Sequence, residues 1–394
     1  MFTLAVSGLS CLLTLWCAWG TKRWIPEWWS LGFVRTITFG WIGLTLIGVL
    51  LYLTGIEIGS FETYQLGKFI WALSIIVSAP VAAALSLCFI LLKRRKTSHE
   101  LLEAREPDES RSGASRRTLL RLAMVPPALA GLAGLSGFIR AQAAPVVTHV
   151  VVSYAELPPS LDGLRILHLT DAHLGPFVEI DTIDQAVEAL KTTRVDIIAI
   201  TGDFADHLRL MKPAVERLEQ LKPTYGIFFA MGNHEYYHPQ DELEPLLASL
   251  NMQTLVSSGA VLSVGEATLF IAGADDPSRT QESKRPFLKT SIETALSRRP
   301  RDAFTVLLCH RPAGFDVAQE WNVELTLAGD THGYQVGLFG ESQIHSLFGE
   351  EYPRGHYQRG QSQLYTSTGL GHWFPFRLGC DREVAVITLQ RNHA

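Results

Sequence analysis

Cysteine is scarce in this sequence, with five residues among 394. Cys11, Cys17 and Cys88 lie in apolar runs near the N-terminus, which leaves Cys309 and Cys380 in the remainder of the chain. These two could form one disulfide, but Cys309 lies in an apolar run typical of a buried strand, where cysteine serves as a small core residue. A fold held together by several disulfides is therefore excluded. The chain also lacks internal repeats and low-complexity segments.

Charged residues are almost absent from three long apolar runs, at positions 4–19, 37–53 and 69–92. Each run is close to the length that an α-helix needs to cross a bilayer. We therefore predict about three transmembrane helices within residues 1–92. The first run is the shortest and could instead be the core of a signal peptide, although no basic residue precedes it and two further runs follow it.

The distribution of basic residues predicts how these helices are oriented. Lys22, Arg23 and Arg35 lie between the first and second runs, and a Lys-Arg-Arg-Lys cluster at 93–96 follows the third, whereas acidic residues predominate between the second and the third. Under the positive-inside rule, the N-terminus lies outside the cytoplasm and residues 93–118 form a charged cytoplasmic linker. This linker has too few apolar residues to form a core.

Residues 119–145 admit two interpretations. The segment follows Arg116 and Arg117, continues through a mildly apolar run and ends in the small residues around Ala141 to Ala144, which resembles an internal twin-arginine export signal. It could equally be a fourth transmembrane helix whose flanking arginines fix its orientation. Both interpretations lead the chain out of the cytoplasm. A domain at 146–394 is therefore predicted on the extracytoplasmic side of a cytoplasmic membrane that the chain crosses several times.

Residues 146–394 alternate short apolar runs with amphipathic stretches, which is typical of a layered α/β sandwich. Strands are predicted at 164–169, 195–200, 226–230, 304–308 and 323–327, and helices at 215–221 and 243–250. Ile183, Val187 and Leu190 have the spacing of one helix face between the first two strands. The run at 253–274, interrupted by Gly265 and Glu266, is predicted to form an antiparallel hairpin.

Five short blocks of oxygen and nitrogen ligands end these predicted strands or follow them. The carboxyl ends of strands in such α/β sheets lie along one edge, so we expect the blocks to converge there. Carboxylates offset the charge of divalent cations, imidazoles suit the softer positions, and one carboxylate can bridge two ions. The sequence predicts a two-metal site built from the blocks Asp171-Ala-His173, Gly202-Asp203-Phe-Ala-Asp206, Gly232-Asn233-His234-Glu235, Cys309-His310 and Gly329-Asp330-Thr331-His332-Gly333.

The order of these blocks resembles that of the calcineurin-like metallophosphoesterases, from Arg165 to about Leu389. The ending of the chain, with 364–371, Arg377 and 383–389, further resembles a branch of bacterial exported or membrane-anchored phosphodiesterases that carry twin-arginine signals. The resemblance implies an α/β fold, a four-layer αββα sandwich, here preceded by an all-α transmembrane region in a bacterial inner membrane. The metal ligands that it implies are Asp171, His173 and His332 for the first ion, Asp203 as the bridge, and Asn233 and His310 for the second ion.

The chemistry of such a site follows from its two cations. They lower the pKa of a shared water, so that hydroxide is available near neutral pH, and they clamp the phosphoryl oxygens during in-line attack. His234, beside the ligand Asn233, is predicted to be a catalytic residue that donates a hydrogen bond or a proton to the leaving oxygen. Glu235 is expected to orient the loop as a hydrogen-bond acceptor. Asp206 could support the ligands from behind or begin a helix, and such a structural role is favoured over metal ligation.

Asp330 departs from the family pattern, in which a histidine occupies this position. An aspartate there would be a third carboxylate in the site after Asp171 and Asp203, which favours harder ions such as Mn or Mg over Zn. We therefore predict two divalent metal ions, Mn, Zn, Fe or Mg, with Mn favoured and with Asp330 as a ligand of the second ion. The alternative is that this substitution impairs the second metal site.

The sequence thus predicts a membrane-anchored phosphodiesterase or phosphatase acting on an envelope or lipid-linked phosphoester. The expected partners are a membrane and a phosphoester small molecule or lipid; no nucleic acid is expected in that compartment, and the oligomeric state is not indicated. An aromatic cluster at 372–377 could line a mouth that faces lipid or phosphate, or could be loop packing. With an impaired second site, the chain would instead be a membrane-tethered binding or sensing module.

Overall fold

The computed structural model describes residues 15, 39–40, 42–51, 67 and 70, and then 132–280, 283–337 and 351–392. The chain divides into two compact units, Met1–Ile139 and Arg140–Ala394. In the first unit, residues 42–51 and 132–139 are helical. No helix among the described residues has both the length and the apolar character that crossing a bilayer requires. Most of the three predicted membrane runs, the predicted linker at 93–118 and residues 119–131 lie outside the described residues.

Among its described residues, the second unit contains two mixed sheets of six strands each. The strands of the first sheet are β1 (Val146–Tyr154), β2 (Arg165–Leu169), β3 (Ile197–Thr201), β4 (Ile227–Ala230), β5 (Gln253–Leu255) and β12 (Glu383–Arg391). Their order is β1-β12-β2-β3-β4-β5. β1 runs parallel to β12, β12 runs antiparallel to β2, and β2 to β5 run parallel to one another.

The second sheet lies against the first and carries the remaining ligand-bearing strands. Its members are β6 (Ser258–Val264), β7 (Ala267–Gly273), β8 (Phe304–Leu308), β9 (Leu325–Ala328), β10 (Gly355–Arg359) and β11 (Ser362–Thr366). The order is β10-β11-β9-β8-β7-β6. The four central strands are parallel, and an antiparallel strand closes each edge.

Helices cover the outer face of each sheet. These helices are α1 (Asp181–Leu190), α2 (Met211–Leu218), α3 (Gln240–Ser249), α4 (Lys284–Leu296) and α5 (Gly314–Glu320). Ile183 of α1 and Leu243 of α3 belong to the core that also contains Ile198 and Phe229 of the first sheet. On the other side, α4 and α5 pack on the second sheet. The order helix, sheet, sheet, helix confirms the predicted four-layer α/β sandwich.

The central strands are apolar on both faces because each is covered twice. In β3, all five residues of the sequence Ile-Ile-Ala-Ile-Thr are buried. Ile198 points into the core shared with the helices, whereas Ile197 lies in the core between the sheets, together with Leu269 and Val306 of the second sheet. An unbroken apolar run is the expected sequence of a parallel strand in this position.

The predicted hairpin at 253–274 is only partly correct. β6 and β7 form it, with Gly265 and Glu266 at the turn. Gln253–Leu255, however, leaves the hairpin and pairs parallel with β4 at the edge of the first sheet. A strand of three residues is too short to carry a periodic signal, so its pairing is decided by the open edge of β4. Cys309 and Cys380 are both buried and free, which confirms the core role of Cys309.

Candidate metal centre

The predicted ligands converge at one edge of the sandwich, where the parallel strands of both sheets end. Each sheet supplies part of the site, and most of the ligand side chains are buried. The sequence order of the ligand blocks therefore becomes a spatial cluster, as the α/β pattern predicted. The strands that position the ligands are β2 for Asp171 and His173, β3 for Asp203, β4 for Asn233 and His234, β8 for His310, and β9 for Asp330 and His332.

The backbone at the ligands is strained. Residues other than glycine rarely adopt a positive φ, and such conformations persist where the surrounding structure enforces them, often at functional sites. The tight turns after the strands bring consecutive ligands back toward the centre of the edge. The predicted ligands with positive φ are Asp171 (51°), His173 (45°), Asp203 (50°), Asp330 (66°) and His332 (49°).

Two glycines allow the ligand loops to approach one another. A Cβ atom on Gly232 would lie 2.3 Å from Asp203 Oδ1, and one on Gly329 would lie 2.1 Å from Asp171 Oδ2. Any larger side chain at either glycine would displace a carboxylate of the site. The glycine in each of these two blocks is therefore required by the packing of the ligands themselves.

The first cluster joins side chains from β2 and β9 with the carboxylate that follows β3. His173 Nε2 lies 3.1 Å from His332 Nε2, and His332 Nε2 lies 3.3 Å from Asp171 Oδ1. Asp203 Oδ2 is 3.6 Å from His173 Nε2. Ligand bonds of about 2.1 Å place neighbouring donor atoms roughly 3.0 to 3.4 Å apart around one ion, so these separations are close to those of a metal site.

The second cluster surrounds His310 Nε2. This atom lies 3.2 Å from Asn233 Oδ1, 3.4 Å from Asp203 Oδ2 and 3.7 Å from Asp330 Oδ1. Asp203 Oδ2 is therefore adjacent to both clusters. A carboxylate in this position has the geometry required to bridge two ions.

Hydrogen bonds on the outer nitrogens of two histidines determine which ring atoms face the clusters. His173 Nδ1 donates to Asp206 Oδ1 at 3.1 Å, and His310 Nδ1 donates to the carbonyl oxygen of Thr201 at 2.7 Å. Metal binding requires Nε2 to be deprotonated, and each ring, neutral with its proton on Nδ1, would then present the lone pair of Nε2 to other acceptor atoms. Acceptors that converge in this way repel one another unless a cation lies among them. The donor set therefore fits divalent ions, and its outer hydrogen bonds orient the rings for them.

The pKa values reflect the same concentration of charge. Burial raises the pKa of Asp203, but His310 and His173 outweigh burial and hold that pKa well below its usual range. Burial lowers the pKa of His173, whereas Asp206, Asp203 and Asp171 raise it, with a net increase to about 9. Asp203 is therefore ionised at neutral pH, and its carboxylate requires positive charge nearby.

Asp206 connects the first cluster to His234. Its Oδ1 accepts hydrogen bonds from His173 Nδ1 at 3.1 Å and from His234 Nδ1 at 2.8 Å. His234 Nε2 lies 3.9 Å from Asp203 Oδ2, and its side chain is partly exposed. These three side chains also form a compact group of potential ligands, but the two hydrogen bonds account for their geometry. The sequence allowed Asp206 a supporting role behind the ligands but did not identify the two histidines that it joins.

Glu235 holds the loops that carry the ligands. Its fully buried carboxylate accepts from the backbone N–H groups of Asp203 at 2.9 Å, Phe204 at 2.9 Å and Gly232 at 2.8 Å. The predicted role of Glu235 as an acceptor that orients the loop is confirmed.

Arg311 lies beside the second cluster, although no sequence pattern had singled it out. Its Nη2 donates to Asn233 Oδ1 at 2.9 Å, and its Nη1 pairs with Asp330. Its Nε donates to Asp276 Oδ2 at 2.6 Å. The carboxylate of Asp330 thus has a protein cation as its partner, and its role as a metal ligand stays a prediction. A basic residue directly after His310 was the available signal, but its partners depend on the tertiary fold.

The cluster at 372–377 is mainly packing. Arg377 is fully buried, and its guanidinium donates to the carbonyl oxygens of Thr368 at 2.8 Å and Asp381 at 3.0 Å. His372 is also buried, whereas Trp373 is half-exposed. The structure favours the packing interpretation for the buried members of this cluster.

Similarity to known proteins identifies the family. Residues 164–334 match the calcineurin-like phosphoesterases. A transmembrane protein with metallophosphoesterase domain from Bos taurus is 30% identical over 326 residues, which cover 78% of this chain and 72% of that protein. A protein of the same description from Danio rerio is 29% identical over 309 residues, which cover 76% of this chain and 67% of that protein. A metallophosphoesterase from Helicobacter pylori is 31% identical over 258 residues, which cover 64% of this chain and 66% of that protein.

The chain belongs to the calcineurin-like phosphoesterase family, as the order of its ligand blocks predicted. It spans about two thirds of the length of the Danio rerio and Helicobacter pylori relatives. The reaction class of this family is the hydrolysis of phosphoester bonds, so the prediction of a phosphoester hydrolase is confirmed at that level. The exported bacterial branch, the substrate and the identity of the metals stay predictions.

Proposed function

We propose that this chain hydrolyses phosphoesters with two divalent ions at the candidate metal centre. The observation that carries the proposal is that Asp203 Oδ2 lies 3.6 Å from His173 Nε2 and 3.4 Å from His310 Nε2, and so is adjacent to both groups of candidate ligand atoms. Bound ions would lower the pKa of a water molecule and neutralise charge on the phosphoryl oxygens. The residues proposed to hold them are Asp171, His173 and His332 at the first point, Asn233, His310 and Asp330 at the second, and Asp203 between the two.

We propose that His234 acts on the leaving group. Its Nδ1 is engaged by Asp206 at 2.8 Å, which orients the ring and leaves Nε2 directed toward the site. In its protonated form, His234 carries a proton on Nε2 that it can transfer to the departing oxygen. Asp206 fixes the position of that ring and so acts as a positioning residue.

Location and substrate are further parts of the proposal. Three apolar runs within 1–92 and the basic cluster at 93–96 support a membrane anchor, with the domain at 146–394 on the extracytoplasmic side. The descriptions of the Bos taurus and Danio rerio relatives as transmembrane proteins support the same anchor. We therefore propose an envelope or lipid-linked phosphoester as the substrate. We propose Mn as the preferred ion because the oxygen ligands are at least as many as the imidazoles.

The test is a hydrolysis assay on the detergent-solubilised full chain, with Mn, Mg, Zn or Fe supplied in turn. The substrates are bis-nitrophenyl phosphate and a panel of lipid phosphates, and metal content is measured on the same samples. Turnover should be lost on chelation and restored by Mn, with about two ions per chain. As a control, Asp184→Asn removes an exposed carboxylate that pairs with Arg217 on the helical layer, at 2.8 Å, and should retain full activity. At most one ion and no turnover would instead support the binding module.

A further inference from the structure

A guanidinium group lies in a fixed position against the second cluster. Arg311 directly follows His310, and its side chain is 12% exposed. Its Nε donates to Asp276 Oδ2 at 2.6 Å, and its Nη2 lies 3.4 Å from Asp276 Oδ1. Asp276 is buried and also accepts from the backbone N–H of Ser278 at 2.8 Å. Because the carboxylate engages two nitrogens of the planar guanidinium, Arg311 is held in one orientation.

The remaining donors of Arg311 point at the atoms of the second cluster. Nη2 donates to Asn233 Oδ1 at 2.9 Å, and Nη1 pairs with Asp330 Oδ1. These are the same two oxygens that lie 3.2 Å and 3.7 Å from His310 Nε2. The oxygen atoms that would bind a second ion therefore already accept hydrogen bonds from a protein cation.

Charge adds to this competition. Arginine stays protonated in proteins, so an ion at the second cluster would lie within a few ångströms of a permanent positive charge. Pairing with Arg311 also neutralises Asp330, which then cannot balance the charge of an ion. The first cluster differs, because the hydrogen bond that the Arg377 guanidinium makes to it reaches the outer nitrogen of His332, Nδ1, at 3.3 Å, and not an atom that faces the cluster.

We propose that Arg311 is a built-in counter-charge at the second cluster, which holds Asn233 and Asp330 and weakens the binding of a second ion there. The protein then retains its first ion at metal concentrations that leave the second position partly empty. This inference rests on the proposed two-ion function and deepens it, because it makes the activity depend on the supply of free metal.

The test is a Mn titration of the chelator-stripped full chain, in which electron paramagnetic resonance reports free Mn and so gives both dissociation constants. Arg311→Gln removes the charge and should tighten the second ion at least about tenfold, or about 1.4 kcal/mol. The first ion should bind as before. Arg279→Gln is the matched control. Arg279 forms an ion pair with Asp275 at 3.0 Å, and Asp275 directly precedes Asp276, the partner of Arg311. This control should change neither constant.

If Arg311→Gln binds the second ion with unchanged or lower affinity, the proposal is overturned, because Arg311 would then serve to orient the two oxygens toward the ion. If Arg311→Gln fails to fold, as judged by circular dichroism, Arg311→Lys replaces it. Lysine keeps the charge but cannot hydrogen-bond both oxygens as the planar guanidinium does, so we expect a smaller increase in affinity for the second ion. No increase would again overturn the proposal. Failure of the wild type to bind even its first ion would instead refute the proposed function.

Discussion

Asp206→Ala should impair both metal binding through His173 and proton donation by His234, because one carboxylate oxygen of Asp206 contacts both histidines. Asp206 Oδ1 accepts from His173 Nδ1 at 3.1 Å and from His234 Nδ1 at 2.8 Å. A hydrogen bond to a charged group contributes about 1.5 to 3 kcal/mol. Loss of the partner of His173 should weaken the first ion about 10- to 100-fold, as is typical when the residue behind a metal ligand is removed. Loss of the partner of His234 should impair proton donation, which contributes about 10²- to 10⁴-fold to catalysis.

The two effects can be separated by measuring kcat/KM at saturating Mn. Nitrophenyl esters have good leaving groups and need little proton donation, whereas alkyl esters depend on it. Asp206→Ala should therefore lose about tenfold or more in activity on alkyl esters beyond its loss on nitrophenyl esters. Asp184→Ala on α1, an exposed carboxylate in an ion pair, serves as the control. Equal losses on both substrates would refute the link between Asp206 and the leaving group, and an unchanged affinity for Mn would refute its action through His173.

Asp203→Asn removes charge from the atom adjacent to both clusters, so metal content and turnover should be lost while the circular dichroism spectrum is kept; a variant with both ions and near-normal rates would contradict the bridging role. Burial lowers the pKa of His168 from 6.5 to about 4. Because the unfolded chain binds this proton more readily, the free energy of unfolding should fall by up to about 3 kcal/mol as the pH drops through that window. In urea titrations of the metal-free protein, the free energy of unfolding should depend less on pH in His168→Gln than in the wild type. Identical pH dependence in the two proteins would count against this contribution of His168. A reporter active only outside the cytoplasm should be on after Ala394 and off near Ser110, and the reverse pattern would place the catalytic domain inside.

The inner strands and the convergence of the candidate ligands could be predicted because their signals are local. An unbroken apolar run such as Ile197–Thr201 indicates a strand covered on both faces, and a carboxylate or imidazole just after it indicates the ligand edge. Glu235 was also predictable, since a buried acceptor within the ligand block has the nearby backbone N–H groups as its natural partners.

The missed features depend on contacts between distant parts of the chain. Gln253–Leu255 joins β4 because that edge is open, which no pattern within three residues can reveal. The sequence indicated Asp206 as a residue that supports the ligands or begins a helix, but its link to His173 and His234 arises only when two loops meet. In the same way, the position of the Arg311 side chain depends on Asp276, which follows a different strand.

The pairing of the first and last strands also has a mechanical consequence. β1 and β12 run parallel over nine residue pairs, from Val146 beside Glu383 to Tyr154 beside Arg391. Force applied between the start of β1 and the end of β12 would act along the strands from opposite ends of this ladder. All of its hydrogen bonds would then be loaded together in shear, whereas a hairpin pulled at its open end would unzip one bond at a time. The catalytic domain is therefore built to resist extension between its two termini.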